Sequence, residues 1–114
     1  MTQARILISI AAALAFAGPA TAQASGFAFV NNAGGAMSAL AIRRVGSDEW
    51  RELNVAAGAG AKVRARFDDP DCAFDLRGTV VGAGQVMWTG VNLCGVKSLT
   101  LNRDSAGRSW VDYE

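Results

Sequence analysis

The sequence predicts an all-β domain: a small antiparallel β-sandwich of six or seven strands, immunoglobulin-like in outline, with one short helical turn and a signal peptide in front. Three observations carry that reading. Short runs of apolar residues, several in strict alternation with polar ones, recur between Gly- and Asn-containing turns from Gly26 onward. No stretch beyond the leader supports a helix longer than one turn. The densest run of strand signals, FDDPDCAFDLRGTVVGAGQVMWTGVNLCGVKSL from Phe67 to Leu99, holds both cysteines, as a hairpin fastened at its open end would require.

The leader is MTQARILISIAAALAFAGPATAQA. Arg5 precedes an apolar run from Ile6 to Ala17, then Gly18-Pro19, then small residues, which is the order of a secretory signal peptide. The run is shorter than the roughly 20 residues needed to span a bilayer, so no transmembrane span is expected. Two A-x-A sites compete, Ala20-Thr21-Ala22 and Ala22-Gln23-Ala24, and the reading favours a cut after Ala24. That gives a leader over 1–24 and one β-sandwich domain over 25–114. No twin arginine and no cysteine near the cut point to folded export or a lipid anchor. Arg5 is the only charge removed, leaving ten basic and ten acidic residues. A neutral domain argues against nucleic acid as a partner, because phosphate backbones select an excess of Lys and Arg.

Gly26 to Asn32 reads as a first strand with Phe27 and Phe29 on one face, and Asn31 to Gly35 as a turn. Met37 to Val45 is a second strand with Leu40 and Ile42 inward. Ser47 to Leu53 breaks the two-residue period, and its Ser/Asp-then-Glu order suggests a helical turn that points Trp50 and Leu53 at the core. Ala56 to Ala61, AAGAGA, is a flexible link. In AKVRARF, Lys62, Arg64 and Arg66 face one way and Val63, Ala65 and Phe67 the other, a half-buried strand with a basic outer face. After the hairpin, Val96 to Arg103 has Leu99 and Leu101 inward. Asp104 to Gly107 is a turn, and Arg108 to Tyr113 is a last strand or ordered tail.

Within the hairpin, Gly82 and Gly84 permit the positive φ that a tight loop needs. A turn centred on Ala83 makes Cys72 face Cys94, Leu76 face Gly90, Gly78 face Trp88 and Val80 face Val86, each large side chain meeting a small one or its match. Closing a loop of this length stabilises by roughly 3 kcal/mol in the chain-entropy model. So small a core is marginal without a staple, and an oxidising compartment lets one persist. In an immunoglobulin domain the cysteines are widely separated and a Trp follows the first. Here Trp88 lies near the second, so the bond is not expected to pin two sheets together.

Several of these segments resemble a group of small exported bacterial proteins of uncharacterised function. The matching residues are N-N-x-G at Asn31 to Gly34, S-D-x-W at Ser47 to Trp50 and C-x-[FW]-D-[LI] at Cys72 to Leu76. They continue with W-x-G-x-N-L-C at Trp88 to Cys94 and V-x-x-L-T-L at Val96 to Leu101. The resemblance implies export and a disulfide-linked β domain, and it carries over no catalytic or ligand residues. The tail after Arg103 departs from it.

The chain contains no histidine, which removes the commonest general base, Ser-His-Asp and Cys-His nucleophiles, and most zinc and copper sites. Both cysteines are better used as a bridge than as thiolates. Asp68, Asp69 and Asp71, with Asp75 beyond, could hold calcium, although the spacing is not that of an EF-hand. The plainer reading is a Pro70-containing turn whose aspartates bond nearby N–H groups. Lys62, Arg64 and Arg66 could meet an anionic glycan or headgroup, or could form a solvated, charge-protected edge partly balanced by Asp75. Trp88 is expected in the core, Trp50 also, and Trp110 is free to be a stacking platform. The expectation is therefore a monomeric, non-enzymatic periplasmic or secreted module without catalytic residues or cofactor. It would bind a protein or an envelope glycan through Lys62, Arg64, Arg66 and Trp110. The alternative is a small metal-dependent hydrolase or calcium-binding protein using the Asp68–Asp71 loop.

Overall fold

The computed structural model describes residues 24–114. The leader read over 1–24 lies outside the described residues except for Ala24. Alternating burial builds β1 (Phe27–Asn32), whose Phe27, Phe29 and Asn31 point inward. There follow β2 (Met37–Arg44), β3 (Arg51–Glu52), β4 (Lys62–Ala65), β5 (Ala73–Val80), β6 (Gly84–Asn92), β7 (Ser98–Arg103) and β8 (Ser109–Tyr113). They form two four-stranded sheets, ordered β4-β1-β7-β8 and β3-β2-β5-β6, with no helix among the described residues. The core lies between them. Phe27, Phe29, Leu99 and Leu101 of the first sheet meet Leu40, Ile42, Phe74, Leu76, Trp88 and Val91 of the second, all at most 1% exposed. Burying so many large apolar side chains is the main source of stability in a domain of this size.

Five local expectations are corrected. The helical turn at Ser47–Leu53 is an irregular loop closed by the Glu49 N–H donating to Ser47 Oγ (3.1 Å), followed by β3. Arg51 and Glu52 pair with Ile42 and Ala41, because extending the sheet satisfies more backbone groups than an isolated turn. This short strand also raises the count to eight. The AAGAGA link is no free linker: Ala57 is 3% exposed and exchanges backbone hydrogen bonds with Met37 in both directions. Asn31, read as a turn residue, is fully buried. Its amide donates to the carbonyls of Gly35 (2.8 Å), Ala57 (3.0 Å) and Gly58 (3.2 Å), while its Oδ1 accepts from Ala33 N–H. The β1–β7 pairing is parallel, all other strand pairs being antiparallel, and β2 to β6 form the long crossover that parallel neighbours require.

The fifth correction concerns the hairpin register. The turn centres on Gly82, so Val80 pairs with Gly84, Gly78 with Val86 and Leu76 with Trp88, instead of Val80 with Val86, Gly78 with Trp88 and Leu76 with Gly90. Between Leu76↔Trp88 and Phe74↔Val91 the β6 strand carries one extra residue. Gly90 supplies the positive φ (65°) at this bulge, and its N–H donates to Asp75 Oδ1 at 3.0 Å. The bulge shifts the ladder enough for Cys72 and Cys94, just outside the strands, to form the disulfide with Cα atoms 5.1 Å apart. The bond ties neighbouring strands of one sheet. Gly78 makes room not for Trp88 but for Met37, whose Cγ and Sδ would lie 2.9 Å from an added Cβ.

Candidate functional site

The alternation KVRA turns Val63 and Ala65 toward the core and leaves Lys62 and Arg64 on the outer face of the first sheet; Arg66, past the strand end, is also exposed. Register then fixes what they share that face with. Arg64 lies beside Ala28 and, one strand further, Ser98. Lys62 lies beside Val30, Thr100 and then Asp112. The next row is Asn32, Asn102 and Trp110. All three rows lie on the side of their strands opposite Leu99 and Leu101, but Ser98 (6% exposed) and Asn102 (3%) are themselves covered, so between the edges the surface offers Asn32 and the half-buried Thr100.

The face is therefore graded. Its β4 edge is basic, and among the described residues Lys62, Arg64 and Arg66 have no carboxylate in salt-bridge contact. Its centre mixes Ala28 and Val30 with Asn32 and Thr100, over the buried Ser98 and Asn102. Asn32 Nδ2 donates to Asn102 Oδ1 (2.6 Å), and Asn102 Nδ2 donates to Asp112 Oδ2 (3.0 Å). Ser98 Oγ is buried without a hydrogen-bond partner. The β8 edge carries Trp110, 45% exposed. Four strands at the usual spacing set the two edges about 14 Å apart. The structure thus puts Lys62, Arg64 and Trp110 on one face, but on opposite edges of it. Asp75 does not balance the basic strand. It belongs to the other sheet, where Arg43 Nε holds it at 3.0 Å.

The Asp68–Asp71 loop is organised by a different set of residues. Asp69 is 6% exposed and receives Arg44 Nε (3.1 Å), Arg51 Nη2 (2.6 Å) and the Asp71 N–H (2.8 Å). Burial pushes its carboxyl up, but these donors outweigh burial and hold it below the ordinary carboxylate value. Asp68 and Asp71 are exposed, and Asp71 Oδ1 accepts from the Cys72 N–H. Trp50, expected in the core, is only half-buried. The guanidinium carbons of Arg77 and Arg43 lie 4.2 and 4.5 Å from its ring centroid. Trp88 is in the core, as expected, and its Nε1 donates to Asn102 O at 2.9 Å.

Arg44, Ser47, Glu49, Trp50, Arg51 and Asp69 line an open cleft of about 520 Å³. Its charges compensate one another, which suits a clasp between loops better than a site for a charged ligand. Sequence reasoning missed this cluster, because its members come from three separated segments. It also missed Ser98, Thr100 and Asn102, which the alternation about Leu99 and Leu101 puts on the other side of β7, where Ser98 and Asn102 are nonetheless buried.

No protein-family model matches the chain, and no curated protein matches it at a significant level. Among solved structures, the fold is similar to the NMR structure of a protein from Eubacterium rectale. The two superpose with a TM-score of 0.51 at 14% identity, over 79% of this chain and 87% of that one. At that identity the likeness concerns the fold.

Proposed function

We propose that this chain is an exported, non-enzymatic β-sandwich module that binds an acidic glycan of the cell envelope across the outer face of the β4-β1-β7-β8 sheet. Export is supported by the order of charged, apolar and small residues in the leader and by the Cys72–Cys94 disulfide, which persists in an oxidising compartment. The observation that carries the binding reading is the grading of one face: uncompensated Lys62 and Arg64 at one edge, a half-exposed indole at the other, and Asn32 and the half-buried Thr100 between. An indole face gives a sugar ring an apolar surface to stack on. Unpaired cations attract carboxylate or sulfate substituents, and the attraction weakens with salt. A span of about 14 Å suits a short oligosaccharide lying across the strands.

An array of acidic and neutral oligosaccharides tests this directly. The domain should retain acidic chains in preference to neutral ones. Lys62→Ser with Arg64→Ser should reduce retention and its salt dependence, and Trp110→Ala should weaken binding about tenfold. Retention unchanged by both variants would remove the face from consideration.

The reading as a hydrolase or calcium-binding protein has less support. The buried carboxylate of the Asp68–Asp71 loop is taken up by two arginines, and among the described residues no group of three or more His, Cys, Asp or Glu side chains is gathered to hold a metal. A rise in melting temperature with millimolar calcium would revive it.

A further inference from the structure

Which of the two A-x-A sites releases the domain is decided by what the folded domain needs from Ala24. Ala24 has no exposed surface and belongs to the hydrophobic core cluster. Its N–H donates to Asp69 O at 2.8 Å and lies 3.2 Å from Asp71 O, and its carbonyl accepts from the Asp69 N–H at 3.1 Å. It forms antiparallel bridges on two sides, with Asp69 and with Cys94. Ala24 thus closes the gap between the loop that carries the buried Asp69 and the segment just after β6 that carries one half of the disulfide. A cut after Ala24 removes this residue. It leaves the Asp69 N–H and C=O without partners, beside that residue's buried carboxylate, and it opens a hole in the core at Ala24. A cut after Ala22 keeps Ala24 and its backbone groups, with Gln23 as the only residue ahead of it.

We propose that the leader is removed between Ala22 and Gln23, so that the mature domain keeps Ala24 as a lock between the 69–71 loop and the disulfide. The assignment rests on the export reading. The test expresses the full chain with its own leader in a bacterium, and identifies the N-terminal peptide of the envelope fraction by mass spectrometry. A peptide beginning at Gln23, with or without loss of ammonia by cyclisation of its side chain, is the expected result. A peptide beginning at Ser25 overturns the assignment while leaving export standing. An uncut chain confined to the cytoplasm overturns export and the assignment with it.

Ala20→Lys supplies the second measurement. It spoils the first A-x-A site and leaves the second intact, which forces the cut after Ala24. The product should be recovered in lower yield, with a melting temperature lower by at least about 5 °C than that of the wild-type product. Equal melting temperatures for products shown to begin at Gln23 and at Ser25 would overturn the structural role given to Ala24.

Discussion

Asn31 shows how much one buried polar side chain can organise. Its amide serves three carbonyls from two loops, and its oxygen holds the turn after β1, so the Gly-rich link at Ala57–Gly58 is fixed to the first sheet. Asn31→Ala leaves the buried Ala33 N–H without its partner and cuts the link from β1 to the Gly35, Ala57 and Gly58 carbonyls. It should cost on the order of 3 kcal/mol in urea unfolding, and a loss under about 1 kcal/mol would mean that water replaces the amide. Gly78 is the opposite case, a residue whose value is the space it leaves. A Cβ there meets the flexible end of Met37, so Gly78→Ala should destabilise by about 1–2 kcal/mol through overpacking. In a Met37→Ala background, itself destabilised by the lost core side chain, the same substitution should cost less, and non-additivity in the double-mutant cycle is the measurement that checks it. Trp88 faces Leu76, so its near-UV circular dichroism should change little in Gly78→Ala.

Among the elements, the β5–β6 hairpin depends on two devices at opposite ends. The three-residue turn about Gly82 sets its register, and the bulge at Gly90 corrects that register by one residue before the cysteines are reached. The disulfide lies beyond both strand ends, so removing it should leave the strands formed while freeing the open end. Cys94→Ser should therefore lower stability by roughly 3 kcal/mol with the far-UV spectrum retained. A domain that melts at the same temperature oxidised and reduced would show that the bond adds nothing. β4 is an edge strand whose outer face carries only charges, which also discourages edge-to-edge pairing with another chain.

For the whole molecule, the connection from β4 to β5 crosses from one sheet to the other, and Asp69 is its anchor. Arg44 at the end of β2 and Arg51 in β3 clamp its carboxylate, and Ala24 binds its backbone. Because the folded-state pKa of Asp69 is depressed, its stabilisation is complete above the unfolded value of about 3.8 and is lost as the pH falls through the folded value. Stability should be flat near neutral pH and drop in the acid range below about pH 4. Asp69→Asn should be destabilised at neutral pH, where two guanidiniums lose their counter-charge, and should show a shallower acid limb. An acid limb identical to that of the wild type would assign the pH dependence to other carboxylates.

Some of this was legible in the sequence, because it is written in neighbouring residues. Alternation in GFAFVNN and AKVRARF follows from side chains pointing to opposite faces of a strand, so it fixed which residues face the core before any partner strand was known. Two cysteines allow a single pairing, and the disulfide followed. Tertiary structure decided what depends on residues distant in sequence. The parallel β1–β7 pairing sets Lys62 and Arg64 on the same face as Trp110. The one-residue bulge at Gly90 is invisible to arithmetic that assumes a regular ladder. The clasp around Asp69 exists only once β2, β3 and the 69–71 loop are brought together. Local periodicity records which face a side chain takes, whereas the choice of neighbour is made by packing two sheets over one core.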